Sequence, residues 1–147
     1  MSVDETPEYS VCLDIVSDSL TLKELESALS VTGDAGSHNR GDKRVPHGLQ
    51  RVYSSALLRI EGDTSHHLGI QDQFQRIVGR LPAAKLHSSQ LKPSQFLVVF
   101  NIAVYFTTAS GSVLLPAPCV ETVQRYGADL EISSYPCSQH EKATTKG

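Results

Sequence analysis

Arg40, Lys43 and Arg44 crowd into one polar segment, Gly33 to Gln50 (GDAGSHNRGDKRVPHGLQ), with Asp42 among them and His38 and His47 on either side. Cationic groups at this density suit a carboxylate, a phosphate or an acidic patch on a partner, and arginine supplies a planar fork that grips two oxygens at once. A connection longer than about 12 to 15 residues without regular structure is usually functional or disordered. Arg40, Asp42, Lys43 and Arg44 are therefore candidate binding residues. The plainer reading of the segment is a solvated loop that includes a short edge strand near Lys43 to Leu49. Arg40-Gly41-Asp42 also spells an adhesion tripeptide, a coincidence in a chain read as cytoplasmic.

Other residue types that do chemistry are present without the spacing that chemistry needs. Asp63, His66 and His67 stand together, but adjacent histidines project in different directions and no third ligand is spaced to join them, so a solvated helix start is expected and no metal. Cys12, Cys119 and Cys137 are an odd count at unrelated spacings, which indicates neither a disulfide framework nor a zinc site and fits a reducing cytoplasm. The chain lacks a G-x-S-x-G elbow, a G-x-x-x-x-G-K loop and a G-x-G-x-x-G turn. No catalytic residue and no cofactor is assigned.

The 147 residues are 39% apolar and 20% charged, with a formal charge of -3. This is the composition of one soluble globular domain, and it provides no electrostatic drive toward nucleic acid or acidic lipid. No apolar run approaches the roughly 20 residues of a membrane span, and MSVDETPEYS is acidic where a signal peptide would be basic and then apolar. Polar, aperiodic ends are expected to be flexible over residues 1–8 and 137–147, flanking a single domain over 9–136.

Within that domain, Tyr9 to Ser17 alternates, with Val11, Leu13 and Ile15 on one face, the period of a half-buried strand. Thr21 and Glu24 form the capping-box pattern of a helix start; the helix should run to Leu29, bury Leu22, Leu25, Ala28 and Leu29, and end at Gly33. A second strand is expected within Arg51 to Ile60, with Val52, Ala56, Leu58 and Ile60 on one face. Ile70, Phe74, Ile77, Val78 and Leu81 repeat at helical spacing. Pro82 stops that helix or opens a short turn carrying Leu86, and Ser94 to Phe106 (SQFLVVFNIAVYF) predicts an interior strand shielded on both sides. After a break at Gly111, Pro118 suits the first turn of a further helix and Gly127 its cap. Asp129 to Tyr135 alternates as a last strand with Leu130 and Ile132 inward. The fold class is α+β: a mixed or antiparallel sheet of about four strands with helices packed mainly on one face.

Three stretches, YSVCLDIVSDSLTLKELESALSV, SHNRGDKR and LLPAPCVETVQRYGADLEISSYP, resemble a bacterial domain-of-unknown-function family, family 4279, over Tyr9 to Pro136. RVYSSALLRI stands where that family's tryptophan is expected. The resemblance implies an α+β sandwich and, from the company such small bacterial proteins keep, an immunity or accessory role in a toxin system; it supplies no catalytic residues.

The long strand carries a second implication. If Val98, Phe100, Ile102 and Val104 face the helices, then Leu97, Val99, Asn101, Ala103 and Tyr105 face away, beside Cys12, Asp14, Glu131 and Tyr135. That face would have an apolar centre and a polar border, the makeup of a protein interface, with Leu97, Val99 and Tyr105 as its candidate contacts. The strand has no Lys or Arg and does not match the RNA-binding K/R-G-F/Y-G/A-F-V-x-F/Y pattern, so for Phe96, Phe100, Tyr105 and Phe106 core packing is expected over base stacking. Together these features predict a cytoplasmic, non-enzymatic domain that binds a protein partner or a second copy of itself. The runner-up is a small-ligand site or an enzyme centred on the Gly33 to Gln50 loop.

Overall fold

In this computed structural model, residues 8–43, 52–63, 68–106 and 112–136 are described. Arg44, His47, His66, His67, Gly111 and Cys137, together with the two chain ends, lie outside the described residues.

Alternation places β1 (Glu8–Ser17) and β3 (Leu97–Phe106) side by side at the centre of a four-stranded sheet of order β2-β1-β3-β4. β1 is antiparallel to both β2 (Ala56–Glu61) and β3, while β4 (Asp129–Pro136) runs parallel to β3, so the sheet is mixed. A parallel neighbour requires a crossover, and α4 (Ala117–Arg125) provides it. The other helices are α1 (Leu22–Leu29), α2 (Ile70–Arg80) and α3 (Ala83–Ser88). No helix among the described residues is long and apolar enough to cross a membrane.

One face of the sheet is closed by these helices. Val11, Leu13 and Ile15 of β1, Ala56, Leu58 and Ile60 of β2, and Val98, Phe100, Ile102 and Val104 of β3 are all buried against Leu25, Leu29, Phe74, Ile77, Leu81 and Leu86. Phe100 stacks on Phe74 and meets Tyr126 edge-on, and the Tyr126 hydroxyl donates to the Leu81 carbonyl. Buried Gln73 ties α2 to β1: its Oε1 accepts from the Val11 N–H at 2.8 Å, and its Nε2 donates to the carbonyls of Tyr9 and Leu68 at 2.9 Å. Its carboxamide thus continues the ladder where β2 gives way at Gly62, whose N–H bonds the Val11 carbonyl and where a Cβ would fall 2.7 Å from that of Gln73.

Local chemistry explains the element ends. The Thr21 hydroxyl accepts from the Glu24 N–H while the Glu24 carboxylate accepts from the Thr21 N–H, which is the capping box. The first helix stops at Ser30, not at Gly33: Ser30 takes the left-handed conformation (φ 51°) and its N–H closes onto the last turn. Leu22 and Ala28 are half-buried, leaving Leu25 and Leu29 as that helix's core contribution. At the end of α4, Gly127 (φ 62°) donates to Gln124 and Ala128 to Val123, a paired C-terminal motif that needs the glycine's left-handed backbone.

Three further expectations are corrected. β2 begins at Ala56, and Val52 is 58% exposed in an isolated bridge to Lys43. Leu130 and Ile132 do pair with Phe100 and Ile102 on the helix-bearing side, yet they are 38% and 48% exposed. α4 turns its buried residues, Cys119 and Thr122, inward and packs on α2, and it leaves the β4 margin uncovered. β3 is an interior strand, but its second side is half-exposed, so the shielding of both sides is not realised.

Candidate functional site: the open face of the sheet

Strand register assembles the second face row by row. Arg59, Asp14, Val99 and Asp129 form one row across the four strands, and Glu61, Cys12, Asn101 and Glu131 the next. Beyond them come Ser10, Ala103 and Ser133, then Glu8, Tyr105 and Tyr135. Leu97 opens the face at one end, 53% exposed. Among the described residues no helix packs on this side.

Asp14 is its anchor. A carboxylate this buried, 2% exposed, must be paired to remain charged. Arg59 grips it with both prongs, Nε to Oδ1 and Nη2 to Oδ2 at 2.8 Å each, while the Asn101 amide donates to Oδ2. The Asp14 hydrogen bonds hold the Arg59 guanidinium still more firmly in its charged form against the opposing effect of burial. Above it lies Gly36, where a Cβ would sit 2.6 Å from the Arg59 Cδ, so the glycine is what lets the loop close down over the guanidinium. Next to this cluster, burial pushes the Cys12 thiol up to about 11, the Asp14 and Glu61 carboxylates adding to the effect and Arg59 opposing it. A thiol held neutral in this way is a poor nucleophile at neutral pH.

Charge is unevenly distributed. The strands carry the acids Glu8, Asp14, Glu61, Asp129 and Glu131, all on the open face by register, and a single cation, Arg59, which Asp14 already engages. Five carboxylates against one guanidinium make the strand side chains of this face acidic. Tyr105 and Tyr135 stack with ring centroids 5.5 Å apart, and Tyr135 is 48% exposed. Ser10, Cys12, Asn101, Glu131 and the tyrosine pair surround a shallow concavity of about 290 Å³, at the lower bound of the volumes that enclose small ligands.

Of the candidate residues, Leu97, Val99 and Tyr105 come together here. Arg40, Asp42 and Lys43 do not join them; they form a turn beside β2, at the sheet margin opposite β4. Arg40 donates to the Asp18 carbonyl, the Asp42 carboxylate accepts from the Asn39 N–H at 2.7 Å, and Lys43 bridges Val52. His38 pairs with Leu57 through both backbone groups and stacks on Tyr53 at 3.4 Å, and burial lowers its imidazole below the ordinary value. The described part of the loop, up to Lys43, is therefore an ordered cover for the edge of β2. Asp63 accepts from the Leu68 N–H at 2.8 Å, just ahead of α2.

Arg59 and Gln73 were not among the residues singled out from sequence. Gln73 had a readable signal, a polar residue on the apolar stripe of Ile70, Phe74 and Ile77; Arg59 had none until register set it opposite Asp14. Compared with known protein families, curated proteins and solved structures, the chain finds no match.

Proposed function

We propose that this chain is a non-enzymatic protein-binding domain that docks a basic partner protein on the open face of its sheet. The observation that carries the reading is the concentration of strand carboxylates on that face around a rigid Asp14–Arg59–Asn101 centre. Complementary charge steers encounter and selects partners, and a pre-organised centre lowers the ordering cost of docking. The exposed Tyr135 ring, stacked on Tyr105, offers its face to a partner's Arg or Lys. The same acidity repels phosphate backbones, so nucleic acid is not the ligand we infer. Through the resemblance to family 4279, the role assigned is an immunity or accessory protein that neutralises a basic toxin in a bacterial cytoplasm.

The test is affinity capture from the host followed by titration calorimetry on the purified pair. The expected partner is a basic protein whose affinity falls with salt and drops about tenfold or more in an Asp129→Lys/Glu131→Lys variant, while Arg40→Ala/Lys43→Ala binds as the parent does. An acidic partner, or one indifferent to the double reversal, overturns the proposal.

A further inference from the structure

The two margins of the sheet are treated differently. Along β2 the outer backbone groups are occupied: Asp34 N–H donates to the Arg59 carbonyl at 2.8 Å, and His38 and Leu57 exchange both hydrogen bonds at 2.9 Å. Along β4 no such cover exists among the described residues. Seven of its eight residues are exposed, from Asp129 through Pro136 with only Ser133 half-buried. Protected edges use charged side chains, lysine above all, proline, a bulge or a covering loop, and the charges of β4 are two carboxylates at one end, Asp129 and Glu131. β4 has neither Lys nor Arg, its proline is its last residue, and Leu130 and Ile132 stand 38% and 48% exposed beside the open backbone.

We propose that β4 pairs with β4 of a second copy, antiparallel about a two-fold axis through Ile132, joining two sheets into one continuous layer. The register follows from charge and parity. A two-fold axis perpendicular to the sheet keeps both open faces on one side only if a residue sits opposite its own copy or one an even number of positions away. Centring on Glu131 would set that carboxylate against its own copy, and centring on Leu130 would set Glu131 against Asp129; both place like charges face to face. Centring on Ser133 sets Ile132 against a serine. Centring on Ile132 instead pairs Ile132 with itself, Leu130 with Ser134, Glu131 with Ser133 and Asp129 with Tyr135. No like charges meet, and the exposed isoleucines cover one another. The acidic face of each copy stays open, and the two lie side by side.

This proposal is independent of the docking reading, and its failure is seen separately. The experiment is sedimentation equilibrium of the full chain under reducing conditions. The expected mass is twice the 16.0 kDa of the chain. Ile132→Lys, which sets two ammonium groups against each other at the axis, should weaken the dimer by about a hundredfold with unchanged circular dichroism, whereas Val99→Asp, in the middle of the open face, should leave the dimer intact. Slowed amide exchange along β4 that depends on protein concentration is the second readout, and it needs no substitution. A parent protein that sediments as a monomer with concentration-independent exchange overturns the proposal, and so does a dimer that Val99→Asp breaks while Ile132→Lys does not.

Discussion

Removing the Asp14 carboxylate is the sharpest test of how the open face is held. In Asp14→Ala the Arg59 guanidinium loses both its acceptors and the Asn101 amide loses another. Breaking one side of a fully buried ion pair costs about 3–5 kcal/mol, because the surviving charge stays desolvated. Arg59 keeps 32% of its side chain in water, so part of that cost is relieved by hydration and about 2–3 kcal/mol is expected. With a urea m value of about 2 kcal/mol/M, the unfolding midpoint falls by about 1–1.5 M. Asp14→Leu/Arg59→Met replaces the pair with apolar side chains and should recover stability to within about 1 kcal/mol of the parent. High salt should leave the cost of Asp14→Ala nearly unchanged, since screening acts on exposed charges. A loss below about 0.5 kcal/mol, or a double variant no more stable than the single one, would refute the description of Asp14 as a buried charge held by Arg59.

Gln73→Met keeps the side-chain length but strands the Val11 N–H and the carbonyls of Tyr9 and Leu68, so a loss of about 3 kcal/mol is expected, with faster hydrogen exchange at the Val11 amide. Gly36→Ala drives a methyl group into Arg59 and should cost about 1–3 kcal/mol in chemical denaturation while Gly69→Ala, where nothing lies within 4 Å of the added carbon, costs less. The Cys12 thiol, raised from 9.0 to about 11, should be alkylated at pH 8 about a hundredfold more slowly than in the unfolded chain, followed peptide by peptide by mass spectrometry. The same shift sets a sign for stability: between pH 9 and about 11 the unfolded thiol has released its proton and the folded one has not, so stability from this group falls as pH rises through that window.

Periodicity and capping carried most of the architecture into view. The alternation of Val11, Leu13 and Ile15, the helical spacing from Ile70 to Leu81, the Thr21–Glu24 box and the Pro118 and Gly127 boundaries all act within a few residues, and the structure realises each of them. What local pattern misses is what a neighbouring strand or helix decides. The first helix ends at Ser30 because its own backbone closes the turn there, at a residue type that rarely takes a left-handed conformation. Leu130 and Ile132 have the inward parity, but burial also requires something above them, and the packing of α4 on α2 is a tertiary fact.

The same distinction governs the candidate site. In the sequence the acids Glu8, Asp14, Glu61, Asp129 and Glu131 are scattered over most of the chain, and their charge is diluted to an overall -3. Parity alone puts each on one side of its own strand. Only the register, Cys12 opposite both Glu61 and Asn101 and Asn101 opposite Glu131, makes those sides the same side and collects them into a field. The basic Arg40 to Lys43 cluster shows the converse. Its density in sequence suggested a binding surface; in the fold Arg40 is engaged by the Asp18 carbonyl and Asp42 by the Asn39 N–H, and Lys43 joins Val52 through a backbone bridge at the margin of β2, away from the open face. Charges close in sequence can be engaged by the turn that contains them, as Arg40 and Asp42 are, whereas Glu8, Asp129 and Glu131 are brought to one face by pairing and stand exposed around the buried Asp14–Arg59 pair, where a partner can meet them.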